Sequence, residues 1–178
     1  MEEKIDVFDE FGKLTGEIAT SSAVHRIGLW HKVVKIVVLN DKSELLAQKR
    51  SKTKKIFPNV WDIAVTGHVS SGEASIDAAK RELFEELGLD VGLNEIKYLT
   101  SYKKNIGYNE FKEKMFIDLF YIKTYSTLEG LKILEEEVDE VKFVGLNQMK
   151  EIINDDFFLE DGELDNILKN LKEICYDN

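Results

Sequence analysis

Three glutamates in one short segment, Glu82, Glu85 and Glu86, are the side chains best placed to do chemistry. On a helix, at 100° per residue, they share an arc of about 100°. Carboxylates crowded in this way repel one another, and a hard divalent cation removes the repulsion. Mg²⁺ prefers oxygen ligands and bridges protein carboxylates to substrate phosphates. The run therefore predicts a Mg²⁺ or Mn²⁺ site for a phosphate compound, although such a run is also typical of a solvated acidic face.

Four residues at fixed offsets around the glutamates favour the metal site over the solvated face. Arg81 can hold neighbouring carboxylates with its planar guanidinium. Gly67 is expected to allow a tight turn between a strand and the helix. Gly88 is expected to end the helix in the left-handed conformation, and Glu73 to support the helix and its ligands.

The helix itself is predicted from its termini and its apolar stripe. Ser75 is expected to be its N-cap, and Asp77 suits its first turn. Apolar side chains recur at helical spacing and should face a core. They are Ile76, Ala79, Leu83 and Leu87.

Residues 67–89, GHVSSGEASIDAAKRELFEELGL, match the pattern G-x5-E-x7-R-E-U-x-E-E-x-G-U at every position, where U is bulky and aliphatic. This pattern is the Nudix signature, so the chain resembles Nudix hydrolases. The resemblance implies a mixed β-sheet sandwiched between helices and hydrolysis of an X–diphosphate–Y compound. It implies Mg²⁺ on Glu82, Glu85 and Glu86, with Glu82, Glu86 and Arg81 as the catalytic residues. Whether Glu82 or Glu86 is the base is left open.

The remaining elements predict one α+β domain over residues 1–178, with an N-terminal hairpin extension over 1–30. The hairpin is expected within residues 5–19 and turns at Gly12-Lys13. Strands are predicted at 33–39, 44–49, 62–69, 95–104, 114–125 and 141–145. A short helix is predicted to begin at 149–153, and an amphipathic final helix at 162–176.

Composition excludes several classes of function. The 178 residues carry a formal net charge of −10, which disfavours non-specific binding to nucleic acid or to an anionic membrane. No basic N-terminal leader and no apolar run of membrane-spanning length is present. The single cysteine, Cys175, fits a reducing cytoplasm and is interpreted as a packing or surface residue. A small phosphorylated metabolite is the expected partner, and a homodimer is compatible with the sequence.

The three histidines of the chain, His25, His31 and His68, suggest a second metal site. The segments DEFGKLTGE, VHRIGLWHK, KIFPNVWD and VTGHVSSGE resemble the Nudix branch that contains isopentenyl-diphosphate isomerase. In that isomerase, histidines at matching positions help to bind a divalent metal. The resemblance makes the three histidines candidate ligands, with Glu113 as the best downstream glutamate and Glu110 the next. Imidazole suits a borderline metal better than Mg²⁺.

One departure from the isomerase favours hydrolysis. The isomerase carries a cysteine before its glycine–histidine pair, and Thr66 stands here. A threonine hydroxyl cannot be tuned to exchange protons near neutral pH as a thiol can. The first alternative function is therefore an isomerase-like enzyme with unusual acid chemistry, and the second is a binding module of this fold without turnover.

Three aromatic residues are candidate substrate contacts, although such residues are more often part of a core. Trp30, Phe57 and Trp61 could stack on a nucleobase or lie along a prenyl tail.

Overall fold

A mainly apolar run forms the central strand of the sheet. The computed structural model describes residues 2–55, 57–108, 110–153 and 163–176. The run predicted at 33–39 is part of β3 (Trp30–Leu39). Strand β3 pairs in parallel with β8 (Phe111–Lys123) and antiparallel with β6 (Ala64–His68). A strand that has neighbours on both edges and cover on both faces consists mainly of apolar side chains, which explains the run. The one charged residue of the run, Lys35, forms a buried ion pair with Asp62.

The other strands extend this mixed sheet to nine strands among the described residues. They are β1 (Lys4–Phe8), β2 (Leu14–Thr20), β4 (Leu45–Arg50), β5 (Trp61–Asp62), β7 (Lys97–Tyr108) and β9 (Val138–Val144). The predicted hairpin is β1–β2, and it joins the sheet where Phe8 pairs with Trp30 of β3. Strands β7 and β8 form a long antiparallel hairpin, and β9 pairs with β4.

Helices cover both faces of the sheet, as expected. They are α1 (Ser21–Ile27), α2 (Ser75–Leu87), α3 (Leu146–Ile153) and α4 (Glu163–Tyr176). Helix α2 buries Ala79, Leu83 and Leu87 against Val34 and Ile36 of β3. Helices α3 and α4 bury apolar side chains against the opposite face. The α+β class, with a mixed sheet between helices, is therefore confirmed.

The structure differs from the predicted elements in three places. Helix α1 was not predicted, because seven residues are too short to display a helical period. Strand β5 has two residues and carries no pattern of its own. The polar residues expected to separate two strands at 105–110 mostly belong to β7, which continues to Tyr108.

Some predictions concern residues that the structure does not describe. Gly162, the expected first residue of the final helix, and Met1 lie outside the described residues. Cys175 lies within α4, but its side chain is likewise outside the description. The assignment of residues 1–178 to one domain stays a prediction. Within the described ranges, no helix is long and apolar enough to cross a membrane.

Candidate active site

A large cleft brings together residues from the hairpin extension, α1, the sheet and α2. Its volume is about 1260 Å³. The helix glutamates Glu82, Glu85 and Glu86 line it. So do His25 and His68, although they come from different parts of the chain. The two groups of candidate metal ligands identified in the sequence therefore open onto one space.

Two of the three helix glutamates are buried rather than solvated. Glu82 is 9% exposed and Glu86 is 5% exposed. Burial raises the pKa of Glu82 to about 7 against the opposing effect of Arg81, and it raises the pKa of Glu86 to about 8. Carboxylates buried beside one another need a cation to stay ionised at neutral pH. This arrangement differs from an ordinary acidic helix face, where side chains point into water.

Arg81 donates hydrogen bonds to three carboxylates of the site. Its Nε and one terminal nitrogen donate to the two carboxylate oxygens of Glu73, at 3.0 Å each. Its other terminal nitrogen donates to Glu82 Oε1 at 2.6 Å and to Glu85 Oε2 at 3.2 Å. Arg81 also donates to the backbone oxygen of His68 at 2.9 Å. These acceptors raise the pKa of the guanidinium above its ordinary value, the Glu73 hydrogen bond most of all.

Gly67 has a different role from the predicted one. It does not sit at a turn between strand and helix, since it lies within β6 and pairs with Val34. A Cβ atom at this position would overlap the carboxyl carbon of Glu82. The absence of a side chain therefore gives Glu82 its place against the strand.

The two ends of α2 follow the sequence prediction only in part. Gly88 has φ 68° and ψ 17°, and its N–H donates to Phe84 O, so it ends the helix in the left-handed conformation as expected. The N-cap is Ala74, not Ser75, and no side chain caps this end. The Ser75 hydroxyl donates instead to Asp118 Oδ2 at 2.6 Å. That bond ties the start of α2 to β8, which a local capping rule cannot anticipate.

The three histidines converge in space. His25 (α1), His31 (β3) and His68 (β6) each offer a ring nitrogen, and these nitrogens lie within 4.8 Å of one another. His25 Nε2 and His68 Nε2 are 3.0 Å apart. His31 is fully buried, and burial lowers its pKa to about 4, with help from His68. His31 is therefore a neutral imidazole at physiological pH, the form that binds metals.

Hydrogen bonds to the outer ring nitrogens support the interpretation as a metal site. His31 Nδ1 lies 2.9 Å from Leu29 O, a carbonyl that can only accept, so this nitrogen carries the proton. His31 Nε2 is then a bare acceptor, buried without a hydrogen-bond partner among the described residues. Glu113 Oε1 lies 2.8 Å from His25 Nδ1 without hydrogen-bond alignment. A cation bound among the three rings would satisfy His31 Nε2, so the donor set fits a borderline divalent metal.

Thr66 lines the same cleft, above a buried ion pair. Its hydroxyl lies 3.5 Å from Asp62 Oδ2, and Asp62 Oδ1 lies 3.1 Å from Lys35 Nζ. Both charged residues are 1% exposed. The Thr66 hydroxyl thus lies next to a buried ion pair. These three residues include no thiol that could act as an acid.

The aromatic candidates separate into one cleft residue and two others. Phe57 lines the cleft, with φ 47° and its carbonyl accepting a 3.0 Å bond from Arg50 Nε. Trp30 packs on Phe116 on the α2 side of the sheet, with Lys103 Nζ 4.2 Å from its ring centre. Trp61 lies beneath Lys142 at 4.0 Å. Neither tryptophan belongs to the described lining of the cleft.

Sequence reasoning missed several residues of the site. Basic side chains also line the cleft, namely Arg26, Arg50, Lys54 and Lys55. Lys54 forms an ion pair with Glu137. Gln48 and Glu3 hydrogen-bond to candidate ligands and also went unnoticed. The run RSKTKK at 50–55 was the available signal for three of these basic side chains.

Comparisons with known proteins agree with this geometry. The family model described as NUDIX domain matches residues 29–161. An uncharacterised Nudix hydrolase of Listeria monocytogenes is 32% identical over 148 residues, covering 83% of each chain. An isopentenyl-diphosphate Delta-isomerase of Photorhabdus laumondii is 30% identical over 157 residues, 86% of this chain and 84% of the isomerase. A Deinococcus radiodurans crystal structure matches with TM-score 0.70 and 19% identity, covering 98% of this chain and 99% of the other, which supports the fold alone.

Proposed function

The chain belongs to the Nudix hydrolase family, and we propose that it is a divalent-metal-dependent pyrophosphohydrolase of nucleoside di- or triphosphates or related X–diphosphate–Y compounds. The observation that carries this proposal is the buried pair Glu82 and Glu86 in a cleft that basic side chains also line. Carboxylates that can hold a metal ion and cations that can contact phosphate oxygens, both in one cleft, suit a metal-bound diphosphate. The proposed compartment is the cytoplasm, and the proposed partner is a small phosphorylated metabolite.

The helix glutamates have the first role. Glu82, Glu85 and Glu86 would hold Mg²⁺ or Mn²⁺, which when bound neutralises phosphate oxygens and lowers the pKa of a bound water. Either Glu82 or Glu86 accepts the proton of the attacking water, since both carboxyls have pKa values close to neutrality. Arg81 and Glu73 keep Glu82 in place through the hydrogen bonds described above.

The basic side chains of the cleft have the second role. Arg50, Lys54 and Lys55 can help to neutralise the phosphate oxygens of the substrate. Phe57 stands beside them and offers a ring to the base or sugar of the substrate. The left-handed backbone of Phe57 is a strained conformation for a bulky residue, a feature that tends to occur at functional sites.

The histidine cluster supports a second candidate function, an isomerase-like enzyme. We infer that His25, His31 and His68, with Glu113 beside His25, form a second site that prefers a transition metal. The matched isomerase of Photorhabdus laumondii gives this alternative its weight. Thr66, which stands where the isomerase carries a cysteine, argues against it. A binding module without turnover is the least supported hypothesis, because such a module has no need of a base.

A substrate screen tests the proposed function. Purified protein is incubated with nucleotides, dinucleoside polyphosphates and diphosphate esters, with Mg²⁺ or Mn²⁺, while phosphate and pyrophosphate release are measured. We expect turnover of at least one class, complete loss in excess chelator and recovery when metal is returned. Turnover that persists in excess chelator would remove the metal-dependent mechanism. No turnover across the panel, with intact binding of the same compounds, would favour the binding module.

A further inference from the structure

The N-terminal segment contributes to the cleft although it precedes the family match. That match begins at residue 29, whereas Glu3 and His25 both line the cleft. Strand β1 lies beside the loop that leads into α2, because Ile5 bridges Ser70 and the Ser71 N–H donates to Lys4 O at 2.8 Å. The segment is thus fixed in position next to the histidine cluster.

Glu3 makes three contacts there, all with residues of the site or its immediate support. Its Oε2 lies 3.1 Å from His68 Nδ1, and its Oε1 accepts a 2.8 Å bond from the Ser70 hydroxyl. The same Oε1 lies 3.9 Å from a terminal nitrogen of Arg81. Both oxygens of the Glu3 carboxylate are thus placed against hydrogen-bonding groups, and a carboxylate can only accept hydrogen bonds.

We propose that Glu3 is the positioning residue of the histidine metal site, fixing His68 with its proton on Nδ1 and its bare Nε2 turned toward His25 and His31. This inference rests on the proposed histidine site. The chemistry is that of a carboxylate behind a metal-binding imidazole, which sets the tautomer, orients the ring and raises its basicity. Glu3 does for His68 what the Leu29 carbonyl does for His31. The N-terminal segment then contributes to metal binding and does not only extend the sheet.

The contact with Arg81 also links Glu3 to the glutamate site. Arg81 donates to Glu82 and to the backbone oxygen of His68, so Glu3, His68 and Arg81 form one connected group between the two sets of candidate ligands. A change at Glu3 should therefore affect the histidine site first and the glutamate site more weakly.

Cobalt titration tests the proposal with a readout other than turnover. Co²⁺ bound to imidazoles absorbs visible light in a pattern set by its ligands, so the titration gives both affinity and ligand geometry. Wild type is compared with Glu3→Ala, which removes the acceptor, and Glu3→Gln, which keeps an oxygen but loses the charge. Glu17→Gln, an exposed carboxylate on the same hairpin, is the matched control.

We expect Glu3→Ala to weaken Co²⁺ binding by about 10–100-fold and to alter the spectrum. Glu3→Gln should fall between Glu3→Ala and wild type, and Glu17→Gln should match wild type. Equal affinity and equal spectra for wild type and Glu3→Ala would overturn the inference while leaving the histidine site intact. Absence of Co²⁺ binding by wild type would instead remove the histidine site itself, and the inference with it.

The positioning role of Glu3 can also be tested without metal, on the metal-free protein. Long-range ¹H–¹⁵N NMR spectra report which ring nitrogen of each histidine carries the proton. We expect the Nδ1–H tautomer for His68 in wild type and a mixture of tautomers in Glu3→Ala. A wild-type His68 protonated on Nε2 alone would contradict the proposal. Unchanged near-ultraviolet circular dichroism of Glu3→Gln shows that the fold survives.

Discussion

Gln48 Nε2 donates a 2.6 Å hydrogen bond to Glu86 Oε2, across the gap between β4 and α2. Gln48 is 5% exposed, and its own Oε1 has no hydrogen-bond partner within the part of the chain that the structure describes. The amide therefore engages one oxygen of Glu86 and leaves the other for the cleft. It also favours the ionised carboxylate, opposing the rise in pKa that burial causes.

This contact predicts that Gln48→Met weakens metal activation. Methionine keeps the length of the side chain but cannot donate, so Glu86 loses its orientation. We expect the Mg²⁺ concentration for half-maximal turnover to rise about 10-fold, with a smaller change in kcat at saturating metal. Gln148→Met, an exposed glutamine of α3, is the control. In a Glu86→Gln background the Gln48 substitution should add little, and full additivity of the two effects would show that Gln48 acts elsewhere.

Glu86→Gln itself should lower turnover by about 10²–10⁴-fold, because it removes a base or a critical metal ligand while keeping the shape of the side chain. Glu82→Gln should act in the same direction. The fold should survive, because the amide keeps the shape of the side chain and is neutral, like the protonated carboxyl that burial favours. Initial rates on the best substrate of the screen give the measurement, with Glu135→Gln, an exposed carboxylate, as the control. Unchanged rates in both active-site variants would refute the assignment of these glutamates.

The helix and its glutamates could be predicted because they depend on local spacing. A helical period determines which side chains share a face, and Gly88 ends the helix through its own backbone preference. The contacts of Gln48 with Glu86 and of Glu3 with His68 join residues 38 and 65 positions apart. They exist only because the sheet sets particular strands beside α2, and no local pattern encodes that arrangement.

The histidines illustrate an intermediate case. Their types and the resemblance to the isomerase branch suggested a cluster, and the structure brings His25, His31 and His68 together. The distance between them depends on the β3–β6 register, in which Val33 faces His68, and on helix α1, which the sequence did not reveal.

Gly67→Ala should damage activity more than stability. The added methyl group takes the space of the Glu82 carboxyl, which must swing away from Arg81. A displacement of about 1 Å at a catalytic group can cost about 10²-fold in rate, so we expect a loss of that order. Gly145→Ala, where a Cβ atom meets no other atom within 4 Å, is the control. The kcat of both variants is measured beside their melting temperatures, and an active Gly67→Ala enzyme would contradict the steric role.

The metal-free protein should lose stability as pH rises above about 6.5. Glu82 and Glu86, with pKa values raised to about 7 and about 8 from 4.5, hold protons that the unfolded chain has released. Their contribution is complete below pH 4.5 and disappears as pH rises through those values. His31, with its pKa lowered to about 4 from 6.5, adds stability with rising pH only below about 6.5. Of these three groups, therefore, only the two carboxyls make stability depend on pH above about 6.5.

Urea unfolding in chelator between about pH 6.5 and pH 8 measures this dependence. We expect the free energy of unfolding to fall by about 1 kcal/mol per pH unit. Glu86→Gln should flatten the slope, since the amide does not titrate. Mg²⁺ should restore stability most at the alkaline end, because metal binding requires ionised carboxylates. A wild-type slope of the opposite sign would mean that the two carboxyls are ionised before the metal arrives.

The protein is expected not to interconvert isopentenyl and dimethylallyl diphosphates at an enzymatic rate. Moving the double bond adds a proton to one carbon and removes one from another, so the cleft must supply an acid and a base with accessible pKa values. Thr66 stands where the isomerase resemblance calls for a cysteine, and its hydroxyl lies 3.5 Å from Asp62, itself paired with Lys35. A hydroxyl in that setting is far too weak an acid at neutral pH, and losing an acid or base costs about 10²–10⁴-fold. Thr66→Cys alone should not create turnover either, because the downstream glutamates of the isomerase are matched only loosely here, with Glu113 as the best candidate. Incubation with isopentenyl diphosphate, Mg²⁺ and Mn²⁺ in deuterated water decides the matter, since deuterium appearing in dimethylallyl diphosphate at an enzymatic rate would make the isomerase the correct function.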